Sequence, residues 1–163
     1  MSDVADQEIL PRVADRETRA AISAGLTLDQ HLCFALHSAS HAFQRAYKPF
    51  LDEVNLTYPQ YLVMLLLWER GEMAVKTLGE ALFLDSGTLS PLLKRLEQAG
   101  HVERRRDAAD ERQVLIRLTP SGAALRERAI DILGAMMLKT GCDAAEMADL
   151  RGRLNALRGS LMR

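Results

Sequence analysis

The chain contains two cysteines, and the first of them precedes two tyrosines in a pattern that suggests redox chemistry. Tyr47 follows Cys33 by fourteen residues, and Tyr58 lies in a second tyrosine-containing run. A thiol that is held by hydroxyl groups can be stabilised as thiolate, which is the form that reacts with peroxides. Most helical cysteines are buried structural thiols instead. The pattern therefore supports two interpretations of Cys33, a reactive thiol and a packing residue.

Composition restricts the class of protein. The chain has 163 residues and a net charge of −1, with 48% apolar and 26% charged residues. This length suffices for one packed domain or for a protomer of a helical dimer. There is no CxxC pair and no zinc-finger spacing, so we expect neither a metal site nor a cofactor. The N-terminus lacks a signal-peptide pattern, and the longest apolar run, 61–68, is too short to cross a bilayer. We therefore expect a cytoplasmic protein without a membrane partner.

Apolar residues recur at steps of three and four through much of the chain, which predicts a mainly helical fold. The first long helix is predicted over about 28–54, capped by Thr27 and bent or interrupted near its end by Pro49. Two β-rich segments joined by a polar turn predict a hairpin. Further helices are predicted at 57–70, 75–82, 87–98, 119–139 and 144–162, and strands at 102–106 and 113–118. The predicted caps and stops are Thr57, Gly71, Asp85 or Ser86, Gly100, Thr119 and Gly141.

Two short helices followed by a hairpin have the order of a winged helix-turn-helix. The segment 86–106 is also locally basic, although the whole chain is nearly neutral. Its five basic residues, Lys94, Arg95, Arg104, Arg105 and Arg106, oppose two acidic ones, Glu97 and Glu103. The predicted fold class is mainly α with a small β-hairpin wing (α+β).

The second short helix is predicted to lie in the DNA major groove. Its first half is small and polar, which allows close approach to bases and phosphates. Lys94 and Arg95, one turn further along this helix, suit contacts with DNA phosphates. The hairpin tip, 107–112, would reach the neighbouring minor groove. Solvated surface charges are the alternative interpretation. The predicted DNA-binding residues are Ser86, Thr88, Ser90, Lys94, Arg95, Arg106, Asp110 and Arg112.

Three segments of the sequence resemble a known family. The stretches 84–97 and 110–119, the second reading DERQVLIRLT, look like the MarR family of dimeric winged-helix repressors. The stretch from Cys33 through Tyr47 to Tyr58 resembles the branch of organic hydroperoxide regulators, OhrR. A second cysteine, Cys142, near the C-terminal helices makes the chain similar to the two-cysteine type of that branch.

The resemblance implies a homodimer on a two-fold symmetric DNA operator, with terminal helices forming the dimer interface. It divides the chain into an N-terminal extension (1–27), a dimerisation region (28–56 and 119–163) and a winged helix-turn-helix (57–118). Cys33 matches the peroxide-reactive cysteine, and Tyr47 and Tyr58 match tyrosines that reach this thiol from the partner subunit. Some relatives have a tyrosine where this chain has His37, which could donate to the thiolate or simply fill space.

These expectations combine into a DNA-binding repressor that senses organic hydroperoxides. Cys33 thiolate would become a sulfenic acid, Cys142 of the other subunit would form a disulfide with it, and the dimer would leave its operator. The first alternative is a MarR-type repressor relieved by a small phenolic or apolar ligand, with incidental cysteines. The second is a thiol peroxidase, which is disfavoured because it leaves the DNA-binding pattern unexplained. The sequence thus predicts a regulator and not an enzyme.

Overall fold

The structure is a computed structural model that describes residues 15–163. The described chain divides into two compact units, one ending at Phe43 and one beginning at Gln44. None of the helices within 15–163 combines the length and the apolar character that crossing a bilayer requires. The elements are α1 (Arg16–Ala24), a 3-10 turn (Leu28–Gln30), α2 (Leu32–Asp52), α3 (Tyr58–Arg70), β1 (Met73–Ala74), α4 (Val75–Leu82), α5 (Ser86–Gln98), β2 (Val102–Arg106), β3 (Val114–Leu118), α6 (Pro120–Thr140) and α7 (Ala144–Leu161).

The start of the first long helix differs from the prediction. Thr27 makes no side-chain capping bond, and the chain forms a 3-10 turn before α2 begins at Leu32. His31 has extended backbone angles, and its carbonyl accepts the N–H groups of Phe34 and Ala35 at 3.0 and 3.1 Å. A residue with extended angles whose carbonyl accepts the first helical bonds is an N-cap. The cap is therefore His31, and the predicted start at residue 28 was wrong.

Pro49 does not interrupt α2, which continues to Asp52. Of the two predicted effects, a bend or an interruption, the interruption was wrong, because a proline lacks only its own N–H donor and the residues after it remain helical. Lys48 and Asp52 form an ion pair across this turn, with Nζ 2.7 Å from Oδ2. The helix ends before Asn55, which has a positive φ of 54°.

The core of the second unit surrounds α3. The Gln60 side-chain oxygen accepts the Thr57 N–H at 2.8 Å, which completes a capping box at the helix start. Most of the apolar run after Gln60 is buried, although Leu65 is 37% exposed. Side chains from α5, β2 and β3 complete the core, including Leu89, Leu93, Leu96, Val102 and Ile116.

The predicted hairpin is confirmed, and it is one side of a three-stranded antiparallel sheet. The strand order is β1-β3-β2, with Val102 opposite Leu118 and Arg106 opposite Val114. The third strand, β1, was not predicted; its Met73 pairs with Ile116. A strand of two residues is too short to show an alternating pattern, so no sequence signal predicted it.

The turn between α4 and α5 sets the position of the predicted recognition helix. The Leu84 N–H donates to the Gly79 carbonyl at 2.9 Å, and Phe83 adopts left-handed angles with a φ of 56°. A Cβ on residue 79 would lie 2.9 Å from the Leu84 carbonyl oxygen, so the turn can close only because residue 79 is glycine.

Candidate functional site

Cys33 lies exposed in the first turn of α2, two residues after the helix cap. Its Sγ is 3.8 Å from Nδ1 of His31. His31 was not predicted as a site residue, since the position of the helix start that places it beside Cys33 was not predicted. The two predicted tyrosines, Tyr47 and Tyr58, belong to the second unit.

His37, the other histidine considered for the thiol, has a different neighbour. Its ring lies against that of His41, with centroids 4.4 Å apart and planes tilted by 54°. Both side chains are exposed on α2. A role of His37 toward Cys33 therefore stays a prediction.

The structure brings the two predicted tyrosines together in the second unit. The rings of Tyr47 and Tyr58 are 5.2 Å apart, and the ring of Tyr61 lies 5.6 Å from that of Tyr47. Burial raises the pKa of all three phenols, that of Tyr61 to about 12. The phenols keep their protons at neutral pH and can donate hydrogen bonds to an anion. Tyr61 was not predicted as a member of this cluster, although it follows Tyr58 by three residues.

Cys142 is a free, exposed thiol in the short connection between α6 and α7. It follows Gly141, whose left-handed backbone (φ 67°) ends α6 as predicted. Its Sγ donates to the Thr140 carbonyl at 3.6 Å. Both thiols are thus accessible to a small oxidant in this structure. Within residues 15–163, no group of three histidine, cysteine or acidic side chains could hold a metal ion.

α5 presents one apolar and one polar face. Leu89, Leu93 and Leu96 are buried against the core. Asp85 caps the helix by accepting the Thr88 N–H at 2.8 Å and the Thr88 hydroxyl at 3.2 Å, and the N–H bond contributes most to lowering the pKa of this carboxyl. The predicted contact residues of α5 are all exposed, namely Ser86, Thr88, Ser90, Lys94 and Arg95.

Asp110 organises the turn at the wing tip. Its carboxylate accepts the Gln113 amide at 3.2 Å and both the backbone N–H and Nε of Arg112 at 3.2 Å. These hydrogen bonds lower the pKa of Asp110, with the Gln113 bond contributing most. The Arg112 side chain remains 92% exposed. Asp110 therefore holds the tip in shape, while Arg112 projects from it.

A cleft of about 610 Å³ separates α5 from the wing, and two cationic residues in it were not predicted as site residues. The cleft is lined by Lys76 of α4, Ser90 of α5, and Arg104 and Arg112 of the wing. Nη2 of Arg104 donates to the Ser90 carbonyl at 3.3 Å, and its Nε lies 3.1 Å from a Glu97 carboxylate oxygen. Arg104 was counted in the basic segment 86–106, whereas Lys76 lies on another helix and gave no sequence signal.

Comparisons with known proteins agree with this architecture. A family model described as Transcriptional regulator SarA/Rot matches residues 45–128. The organic hydroperoxide resistance transcriptional regulator of Bacillus subtilis (strain 168) is 47% identical over 132 residues, which is 81% of this chain and 90% of that protein.

Three solved structures share the fold of this chain. Reduced AbfR bound to DNA matches with a TM-score of 0.70 and 32% identity over 90% of this chain and 96% of that one. The disulfide form of AbfR matches with a TM-score of 0.58 and 34% identity over 88% and 98% of the two chains. PcaV of Streptomyces coelicolor, solved with its natural ligand, has a TM-score of 0.74 at 24% identity over 83% and 97%, which shows the shared fold.

The names of the relatives distinguish between the two predicted classes of protein, a transcriptional regulator and a thiol peroxidase. The Bacillus protein is named a transcriptional regulator, as is the matching family model, and the prediction of a regulator over a thiol peroxidase is confirmed. The winged-helix fold class is confirmed as well. The chain belongs to the MarR family of winged-helix transcriptional regulators, in the branch of the organic hydroperoxide resistance regulators.

Proposed function

We propose that this regulator binds a two-fold symmetric DNA operator as a homodimer and releases it when an organic hydroperoxide oxidises Cys33. The observation that carries the proposal is an exposed, free thiol in the first turn of α2, in a chain whose second unit presents an exposed polar helix and a wing. A thiol buried for packing would not be accessible to an oxidant. The 47% identity to a regulator named for organic hydroperoxide resistance supports the same conclusion.

DNA recognition is proposed to centre on the first half of α5. The Thr88 hydroxyl donates to Asp85, which leaves the Thr88 methyl group free to contact a thymine methyl in the major groove. Ser86 and Ser90 are small enough to let the helix backbone approach the bases. Arg112 projects from the wing tip and suits the negative potential of a narrow A·T minor groove.

Phosphate contacts are proposed for the cations around this helix. Within residues 15–163, Lys94, Arg95 and Arg106 take part in no ion pair, so their charges are available to phosphates. Arg104 shares its charge with Glu97 and lines the cleft beside Lys76. Phosphate contacts supply most of the sequence-independent affinity of a DNA-binding protein.

Replacing Lys94 with alanine is expected to weaken binding to every duplex by a similar factor. A dimer would lose two phosphate contacts, so the slope of log affinity against log salt should become shallower by about 1.8. Fluorescence anisotropy on the operator and on an unrelated duplex at several salt concentrations measures this slope. Lys48→Ala is the matched control, because Lys48 is also exposed but is paired with Asp52 on α2. A loss of affinity that depends on the base at one operator position would contradict the proposed phosphate contact of Lys94.

The homodimer is proposed because one chain leaves long apolar stripes uncovered. On α7 the apolar positions recur at steps of three and four, 147, 150, 154, 157 and 161, and no residue of this helix is buried. The neighbouring α6 exposes Ile130, Leu133, Met137 and Leu138. Exposed apolar surface of this extent is typical of an interface, and stripes on helices suit a second copy of the same helices.

Light scattering and DNA titration test the dimer together with its DNA. We expect light scattering to give a particle mass of twice the 18.1 kDa of one chain. We also expect an affinity for a duplex with two half-sites far above that for one half-site. A monomer that binds single half-sites equally well would refute the dimer.

The redox switch is proposed to need both subunits. Thiolate at Cys33, supported by the partner subunit's Tyr47 and Tyr58, attacks the hydroperoxide and becomes a sulfenic acid. The partner subunit's Cys142 then attacks the sulfenic sulfur, and water leaves as the disulfide forms. A disulfide requires Cα atoms within about 7 Å. To reach this distance, the segment that carries Cys33 and the segment that carries the partner subunit's Cys142 must approach each other. We propose that this movement shifts the attached helices and changes the spacing between the two α5 helices of the dimer.

Substitution of Cys142 with serine is expected to leave the response to peroxide only partly working, because the disulfide that moves the helices cannot form, and to abolish recovery after an excess of peroxide. The Cys33 sulfenic acid would then have no resolving thiol and would proceed to sulfinic and sulfonic acids, which dithiothreitol does not reduce. Intact-mass spectrometry before and after dithiothreitol distinguishes these products from a disulfide. Full recovery of the reduced mass in Cys142→Ser would remove Cys142 from the mechanism.

A repressor relieved by a small apolar ligand is the second candidate function. The observation that favours it is a cavity of about 740 Å³ beside the α4–α5 turn, lined mainly by apolar residues that include Val75, Phe83, Leu89 and Met162. A ligand there would act on the recognition helix without any cysteine. The response of a Cys33 variant separates the two candidates.

A further inference from the structure

We propose that His31 is the acid–base catalyst of the reaction at Cys33, taking the thiol proton and returning it to the alkoxide that leaves the hydroperoxide. The inference rests on the proposed peroxide chemistry and adds to it a proton donor within the same subunit. The observation that carries it is the contact between His31 Nδ1 and Cys33 Sγ, 3.8 Å apart. An imidazole at this distance can exchange a proton with the sulfur or with an atom bound to it.

The backbone fixes His31 at this place. Its carbonyl accepts two N–H groups of the first turn of α2, those of Phe34 and Ala35. The preceding 3-10 turn holds it from the other side, because the His31 N–H donates to the Leu28 carbonyl at 3.1 Å. The side chain is partly buried, whereas Cys33 is exposed. The imidazole therefore lies beside the sulfur and leaves its outer side open to a hydroperoxide.

The same location favours the charge distribution that the reaction needs. Cys33 is the second residue of α2, and the N–H groups of a helix's first turn carry partial positive charge. Such charge attracts the negative charge that develops on the sulfur as its proton moves to the imidazole. His37 contacts His41, which leaves His31 as the imidazole seen against the thiol.

The proposed reaction balances without an outside proton source. The Cys33 thiol proton moves to His31, and the thiolate attacks the distal oxygen of the hydroperoxide. The S–O bond forms as the O–O bond breaks, and the electron pair of that bond remains on the departing alkoxide. His31 returns its proton to the alkoxide. The products are a Cys33 sulfenic acid, an alcohol and neutral His31, so the sulfur is oxidised by two electrons and the hydroperoxide is reduced by two.

The test compares two oxidants that form the same S–O bond but release different leaving groups. Cumene hydroperoxide releases a strongly basic alkoxide, which needs a proton, whereas peracetic acid releases acetate, which does not. In a Cys142→Ser background, Cys33 is the single thiol. The rate at which free thiol disappears after the oxidant is added therefore gives the second-order rate constant for oxidation of Cys33. We expect His31→Gln to slow oxidation by both reagents, because it removes the base that takes the thiol proton, and to slow oxidation by cumene hydroperoxide about tenfold more than oxidation by peracetic acid.

His41→Gln is the matched control, because it removes an imidazole of the same helix that lies against His37 and not against the thiol. It should leave both rate constants unchanged. Equal slowing by both oxidants in His31→Gln would assign His31 only to thiol activation or folding and would overturn the inference, as would unchanged rates. If the parent protein with His31 intact does not react with cumene hydroperoxide, the proposed peroxide function itself fails.

Discussion

Replacing Cys33 with serine is expected to keep the regulator on its operator at a hydroperoxide concentration that releases the wild type. The serine hydroxyl fills nearly the same volume but is not ionised at neutral pH and forms no sulfenic acid. Cys33 is exposed, so the change costs little packing. The wild type should lose operator affinity by about tenfold or more, within the usual range of coupling between two sites, and Cys33→Ser by less than about twofold.

Anisotropy of a labelled operator duplex, with and without cumene hydroperoxide, measures this difference. Cys142→Ser serves as the control for removal of a thiol as such, because it keeps Cys33 and should still release part of the DNA on first exposure to peroxide. The small-ligand account gives the opposite expectation, in which Cys33→Ser responds like the wild type. Release of Cys33→Ser by hydroperoxide would therefore favour the cavity beside the α4–α5 turn as the sensing site.

Replacing Gly122 with alanine is expected to lower the free energy of unfolding by about 3 kcal/mol or more. A Cβ on residue 122 would lie 1.9 Å from the His101 carbonyl oxygen and 2.8 Å from the carbonyl carbon. These are backbone atoms, so no side-chain rotation relieves the overlap. The same carbonyl oxygen accepts the Thr119 N–H at 3.1 Å, and the Gly122 carbonyl accepts Nε1 of Trp68 at 2.9 Å. The substitution would thus separate the start of α6 from both α3 and β2.

Urea unfolding at one fixed protein concentration measures the loss, since the stability of a dimer depends on concentration. Gly152→Ala is the matched control. Gly152 lies in the middle of α7, and a Cβ there would meet nothing within 4 Å, so alanine should raise the free energy of unfolding by about 0.5–1 kcal/mol. If Gly122→Ala lowers the free energy of unfolding by less than about 1 kcal/mol, the start of α6 does not pack against His101.

Elements with strong local signals were predictable from the sequence. Asp85 caps α5 and Thr119 caps α6 because short polar side chains reach the free N–H groups of a helix start. The two wing strands agree with the prediction to within a residue, since β-branched residues and a polar turn define them locally. The apolar periodicity of α5 likewise placed Ser86, Thr88 and Ser90 on its open face.

Features that depend on tertiary contacts were not predictable. β1 exists only because Met73 pairs with Ile116, more than forty residues away in sequence. The contact of His31 with Cys33 depends on a 3-10 turn that a simple helical pattern does not reveal. Lys76 comes from α4, a separate element from α5 and the wing, and it lines the cleft only where these three elements pack together.

The central claim is that oxidation of Cys33 is what releases DNA, and a stoichiometric titration tests it most directly. Cumene hydroperoxide is added to the operator-bound wild type in steps up to one equivalent per Cys33, and anisotropy is read together with the mass of the protein. The account predicts that DNA release follows the fraction of oxidised Cys33, is complete near one equivalent, and reverses with dithiothreitol. Complete oxidation of Cys33 with the operator still bound would contradict it.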